Sequence, residues 1–194
     1  APYDLIGSHA IGTAGFRLNN YLAQESDLLA PAGEGFSAAL STINEARTYV
    51  ASMCCSMIEA SLRLSVGYAT ERESFGKPII EHQGLSWQLA RVANQVEAAR
   101  ALTDKAVAAI EHGDSESAIL PAAHAKKFAT EVVEPALSAC AQAMGANGLR
   151  EEHLTGHRLT AGRIANYVDG STEIMTDRIA KSLPATYGPV KFDQ

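Results

Sequence analysis

Between its prolines the chain carries long stretches in which apolar residues recur at alternating steps of four and three, the spacing of one face of an α-helix. From Gly35, the residues Phe36, Leu40, Ile43, Arg47, Val50, Cys54, Met57, Ser61 and Leu64 form one such stripe, interrupted by an arginine. No proline falls between Pro31 and Pro78 to break it. Leu85, Leu89, Val92, Val96, Ala99, Thr103, Ala106 and Ile110 predict a second helix, stopped by His112-Gly113-Asp114. A third runs through Ala122, Ala125, Ala129, Val132, Ala136, Cys140 and Met144, and Pro135 is expected to bend or break it. A shorter fourth begins near Gly170 and reaches about Leu183. These elements and their short connections predict an all-α fold, an antiparallel four-helix bundle with crossings of ~20°.

The segment before Gly35 is of another kind. It is Gly-rich and lacks helical periodicity, and Phe16 and Leu18 alternate with Arg17 and Asn19 as in a half-buried strand. A lone hairpin is marginal in water, so strands here require partners from elsewhere.

Composition agrees with the helical reading. Of 194 residues, 34 are alanine and only 6% are aromatic, a bias that favours closely packed helices over sheet. The formal net charge of −6, with no basic stripe, argues against nucleic acid or an anionic membrane as partner. No run approaches the ~20 apolar residues of a membrane span, and the start lacks the features of a signal peptide. Cys54, Cys55 and Cys140 have no metal spacing and read as buried, reduced thiols, which points to a reducing, cytoplasmic compartment.

Four segments could carry chemistry. Arg47 lies within an apolar stripe and must find an anion or a carbonyl, as a structural salt bridge or as part of a site. Glu71-Arg72-Glu73-Ser74-Phe75-Gly76-Lys77-Pro78 joins the first two helices and is, taken alone, an ordinary interhelical loop. Gln142-Ala143-Met144-Gly145-Ala146-Asn147-Gly148 closes the third helix, as a C-cap turn or as a place where backbone approaches a ligand. Asp169-Gly170-Ser171-Thr172-Glu173 opens the last helix in capping-box fashion, with Asp or Gly at the cap, and its first carboxylate could also be a base. His153 and His157 stand at i and i+4 beside Glu151 and Glu152, but no third ligand is evident and no metal site is predicted.

In order and spacing these segments together resemble the C-terminal part of the flavin-dependent acyl-CoA dehydrogenases. The run from Tyr68 through Pro78 to His82-Gln83 is similar to that family's loop after its first long C-terminal helix. Gln142 to Gly148 resembles its Q-x-x-G-G-x-G turn, and Tyr167-Val168-Asp169-Gly170-Ser171-Thr172-Glu173-Ile174 resembles I-Y-E-G-T-S-E-I. The likeness runs from about Phe16 to Leu183 and implies a division of the chain: residues 1–33 as the end of a middle β-domain with its linker, and 34–194 as the helical bundle.

It also implies FAD as cofactor, an acyl-CoA as substrate, an electron-transferring flavoprotein as acceptor and a homo-oligomer, commonly a tetramer. Arg72, Ser74, Phe75, Gln83, Gln142 and Gly145 would reach the FAD of a neighbouring subunit, with Arg72 at the pyrophosphate. Ser171 and Glu173 would touch the FAD of their own subunit. Asp169 would take the α-proton of the thioester as the β-hydrogen leaves as hydride, and Arg47 would lie near the active site.

Two departures stand out. The family's usual base is Glu, and Asp169 is one methylene shorter, a loss of reach of ~1.5 Å. The base position that some relatives use on the first long helix falls at Ala46, and the adjacent Glu45 faces away from the stripe. Thr160-Ala161-Gly162 stands where Arg-Asp-Ala is common, and Val168 where Tyr is, which puts the straight-chain pocket in question. The competing readings are a non-catalytic partner subunit or assembly domain, and a related flavin oxidase acting on a non-thioester carbon acid.

Overall fold

A computed structural model of the protein describes residues 1–6, 12–112 and 116–188, apart from the side chains of residues 37, 40 and 41. The predicted Leu40 contact and the Gly113-Asp114 stop lie outside the described residues. The order of elements is α1 (Gly35–Glu71), β1 (Glu73–Ser74), β2 (Lys77–Pro78), α2 (Gln83–His112), α3 (Ile119–Ala143), α4 (Thr155–Ala165) and α5 (Thr172–Tyr187). Strands β1 and β2 make a small antiparallel hairpin, with Glu73 opposite Pro78 and Ser74 opposite Lys77. Helix α3 is central and packs against each of the other four.

The core sits between α1, α2 and α3 and is built from small residues. Ala51, Ala99, Ala106, Ala125 and Ala129 are fully enclosed beside Cys54, Cys55, Ile58 and Leu137. Side chains this short let helix backbones approach closely, and interiors must be filled to near-crystalline density. Polar ties register the helices. Ser65 Oγ donates to the Cys140 carbonyl at 2.9 Å, joining α1 to α3, and Arg100 pairs with Glu59 between α2 and α1.

The buried face of α1 differs from the predicted stripe beyond Cys54. Ile58, Ser61, Ser65 and Ala69 are buried, whereas Met57 and Leu64 are only half-buried, and Phe36 is 78% exposed. A strict 4-3 count drifts against the 3.6-residue turn, and over about eight turns the drift moves the face by about one residue. The α2 and α3 stripes agree with prediction. Helix α3 runs unbroken through Pro135, which lies on the solvent face, where the carbonyl left unpaired one turn earlier meets water.

Helix α4 was not anticipated, so the bundle carries a short fifth helix. A Cβ at Gly162 would lie 3.4 Å from Val133 and Leu137 side-chain atoms, and this glycine lets α4 rest directly on α3. Phe16 and Leu18 form no strand; both are exposed, and the described part of the leading segment has one isolated bridge, between Pro2 and Ala14. Among the described residues no helix is long and apolar enough to cross a membrane.

Candidate active site at the start of helix α5

The chain enters α5 through a turn with two consecutive residues at positive φ, Asp169 at 54° and Gly170 at 93°. Asp is among the few non-glycine residues that enter the left-handed region at modest cost. Gly170 has a further reason: a Cβ would sit 3.3 Å from Met175 Cε and 3.4 Å from an Arg47 guanidinium nitrogen. The N-cap of α5 is Ser171, in extended conformation, rather than Asp169 or Gly170. Glu173 is held ionised by the Ser171 hydroxyl and its own backbone N–H, which lower its pKa.

Two buried cations hold this turn. Arg47, 2% exposed on α1, donates from Nε to the Asp169 carbonyl at 3.0 Å and from Nη1 to Asn44 Oδ1 at 3.1 Å. Lys126, fully buried on α3, donates from Nζ to the Gly170 carbonyl at 2.5 Å. The buried arginine thus finds a carbonyl rather than a carboxylate. Burial lowers the pKa of both cations, Arg178 adds repulsion at Arg47, and the charge of Asp169 acts the other way on each. Thr172 Oγ1 donates to Asn166 Oδ1 at 2.9 Å and lies 3.3 Å from Thr130 Oγ1, closing the turn against α3. All peptides here are trans, so carbonyls drawn inward send the Gly170 and Ser171 N–H groups to the opposite side.

Lys126 is a site residue absent from the sequence-derived candidates, although the sequence carries a signal for it. Ala122, Lys126, Ala129, Val133, Ala136 and Cys140 follow a 4-3 spacing as regular as the stripe traced through Ala125, and it places an ammonium on an apolar face. The same logic singled out Arg47.

The remaining candidates gather at the other end of the bundle. Arg72 caps α1, the hairpin follows, and Phe75 at its tip is 95% exposed with φ at 53°. His82 braces the loop, with Nε2 3.0 Å from the Ser74 carbonyl and its ring edge-on to Phe75. Ala143 packs with Ala69 and Leu89 in a small cluster with Ile79, Ile80 and Leu85, which brings the end of α3 beside the hairpin and the start of α2. Gln83, Gln142 and Gly145 are exposed around it, and Gly145 is at φ 59°. The structure therefore joins Arg72, Ser74, Phe75, Gln83, Gln142 and Gly145 at one end, and Arg47, Asp169, Ser171 and Glu173 at the other.

Residues 33–183 match the model of the acyl-CoA dehydrogenase C-terminal domain. The chain belongs to this family. It is 31% identical over 182 residues to the mitochondrial short/branched chain specific acyl-CoA dehydrogenase of Rattus norvegicus, covering 94% of this chain and 42% of that protein. A glutaryl-coenzyme A dehydrogenase solved with glutaryl-CoA aligns over 97% of this chain and 47% of its own, at 30% identity and a TM-score of 0.85. Butyryl-CoA dehydrogenase from Megasphaera elsdenii aligns over 78% of this chain and 39% of its own, at 30% identity and a TM-score of 0.73. The chain spans about half the length of these relatives or less.

FAD, which such flavoproteins hold, is compatible with the donors present. The exposed Arg72 offers a planar fork suited to a phosphate, and beside it Phe75 presents an uncovered ring at the tip of a braced hairpin.

Proposed function

We propose that this chain forms the bundle half of an FAD-dependent acyl-CoA dehydrogenase that removes hydrogen across the α,β bond of an acyl thioester, with Asp169 as general base. The observation that carries the reading is the carboxylate at a left-handed turn whose two carbonyls are each held by a buried cation. The α-proton of a thioester is too weakly acidic for a mobile carboxylate, so the base must be held at a fixed approach of ~3 Å. Arg47 anchors the backbone of that base, and Ser171 at the N-cap and Glu173 in the first turn of α5 would help to hold FAD. When bound, FAD supplies the hydride acceptor. We assign final electron transfer to an electron-transferring flavoprotein.

The two groups of candidates lie far apart. Arg47 and Arg72 are separated by twenty-five residues of one helix, about 37 Å at 1.5 Å per residue. The hairpin end therefore serves the FAD of a second subunit in a homo-oligomer, for which we propose the family's tetramer. The test uses the FAD-loaded protein that contains this chain, mixed without oxygen with thioesters from butyryl-CoA to glutaryl-CoA. The parent's visible flavin band bleaches with at least one of them. Asp169→Asn keeps its flavin and does not bleach; bleaching at the parental rate removes Asp169 from the role of base.

A further inference from the structure

We propose that Lys126 is a positioning residue for the Asp169 carboxylate, acting through the peptide that follows Gly170. The inference rests on the assignment of Asp169 as base. Burying an ammonium is costly even when it is hydrogen-bonded, and an apolar side chain of the same volume would pack at least as well. Bundle stability therefore gives no reason for a lysine at a fully enclosed position between Ala122, Ala125, Ala129 and Thr130 on α3.

The turn supplies the reason. Asp169 and Gly170 each turn a carbonyl away from solvent, where it requires a donor. Arg47 holds the first carbonyl from α1 and Lys126 holds the second from α3, so the turn is fixed against two different helices. Gly170 lies between these two peptides and, lacking a side chain, has a wide conformational range that the clamps remove. With only Arg47 in place, the 170–171 peptide could rotate, and the Cα–Cβ direction of Asp169 would shift with it. A displacement of ~1 Å at a proton-transfer distance is enough to cost about a hundredfold in rate. The shorter reach of Asp compared with Glu makes such placement stricter.

The experiment compares Lys126→Met with the parent in the FAD-loaded protein, using the acyl-CoA in the butyryl-to-glutaryl range that reduces the parent fastest. Lys126→Met is expected to keep bound flavin, and the concentration giving half-maximal reduction stays unchanged. Its limiting reduction rate falls about ten- to a hundredfold, and the isotope effect with α-deuterated thioester rises because proton removal has become slower. A limiting rate within about twofold of the parent overturns the proposal. So does a loss that merely tracks lost flavin or lost helix content. If Lys126→Met does not accumulate, Lys126→Gln, which keeps a shorter neutral donor, is read by the same rate and isotope effect. Asp169→Asn, run beside it, separates the two ideas. If that variant is inactive and Lys126→Met is unimpaired, only the role of Lys126 falls; if Asp169→Asn reduces flavin normally, the base assignment falls and this inference with it.

Discussion

At one end of the bundle Arg47 and Lys126 lie enclosed against the turn before α5, whereas at the other Arg72 and Phe75 stand in solvent on a two-strand hairpin. Both ends depart from ordinary backbone geometry: Asp169 and Phe75 have nearly the same positive φ, 54° and 53°. At the closed end buried side chains from two other helices enforce that geometry, and at the open end the hairpin sets it with His82 as its brace. The comparison teaches that a left-handed residue locked by buried donors is held by packing from neighbouring helices. One presented on an exposed tip, as Phe75 is, keeps its side chain open to contact from outside the chain.

Substitutions separate the two ends by magnitude. Arg47→Ala leaves a cavity and removes the donor to the Asp169 carbonyl, and should lower unfolding free energy by about 3–5 kcal/mol, measured by urea denaturation. Gly170→Ala forces a Cβ against Met175 and Arg47 at positive φ, with an expected loss of about 1–3 kcal/mol and a matching fall in flavin reduction rate.

Between the ends, burial pushes the Cys54 thiol from 9.0 up to about 12. The folded state then keeps a proton that the unfolded chain releases, so this contribution is intact below pH 9 and declines as pH rises towards 12, by on the order of 1.4 kcal/mol per pH unit. Denaturation at a series of alkaline pH values should show at least that slope, and Cys54→Ala should reduce it, leaving the part due to the raised Cys55 and Cys140 thiols. Phe75→Ala touches a side chain with almost no packing and should change stability by less than about 0.5 kcal/mol, while weakening FAD retention or subunit association. A stability loss above about 1 kcal/mol there would erase the distinction between the ends.

Much of this was legible from residue spacing, for stated reasons. The Val92 to Ala106 stripe and the Ala122 to Met144 stripe are regular because each faces the core along its whole length. The α1 stripe drifted because a long helix accumulates the mismatch between 3.5 and 3.6 residues per turn. Helix α4 was hidden because its burial depends on glycine and alanine: Gly162 and Ala165 face inward and give a weak hydrophobic signal. Arg47 stands out in the sequence as a charge on an apolar face, whereas Lys126 is masked because it lies one residue from the equally regular Ala125 stripe. The strand expected around Phe16 did not form, since the pattern there records a preference that only a partner sheet could satisfy. The division of the candidates into two groups follows from the family resemblance, and the 37-residue length of α1 gives it its physical scale.

The three cysteines have a consequence of their own. Cys54 and Cys55 lie midway along α1 and Cys140 lies near the hairpin end of α3, all buried and unpaired. A thiol reagent reaches none of them until helices separate, so the rate at which each is modified is a clock for the opening of its own neighbourhood. The order in which the three react reports whether the middle of the bundle or its hairpin end breathes first, without any introduced cysteine.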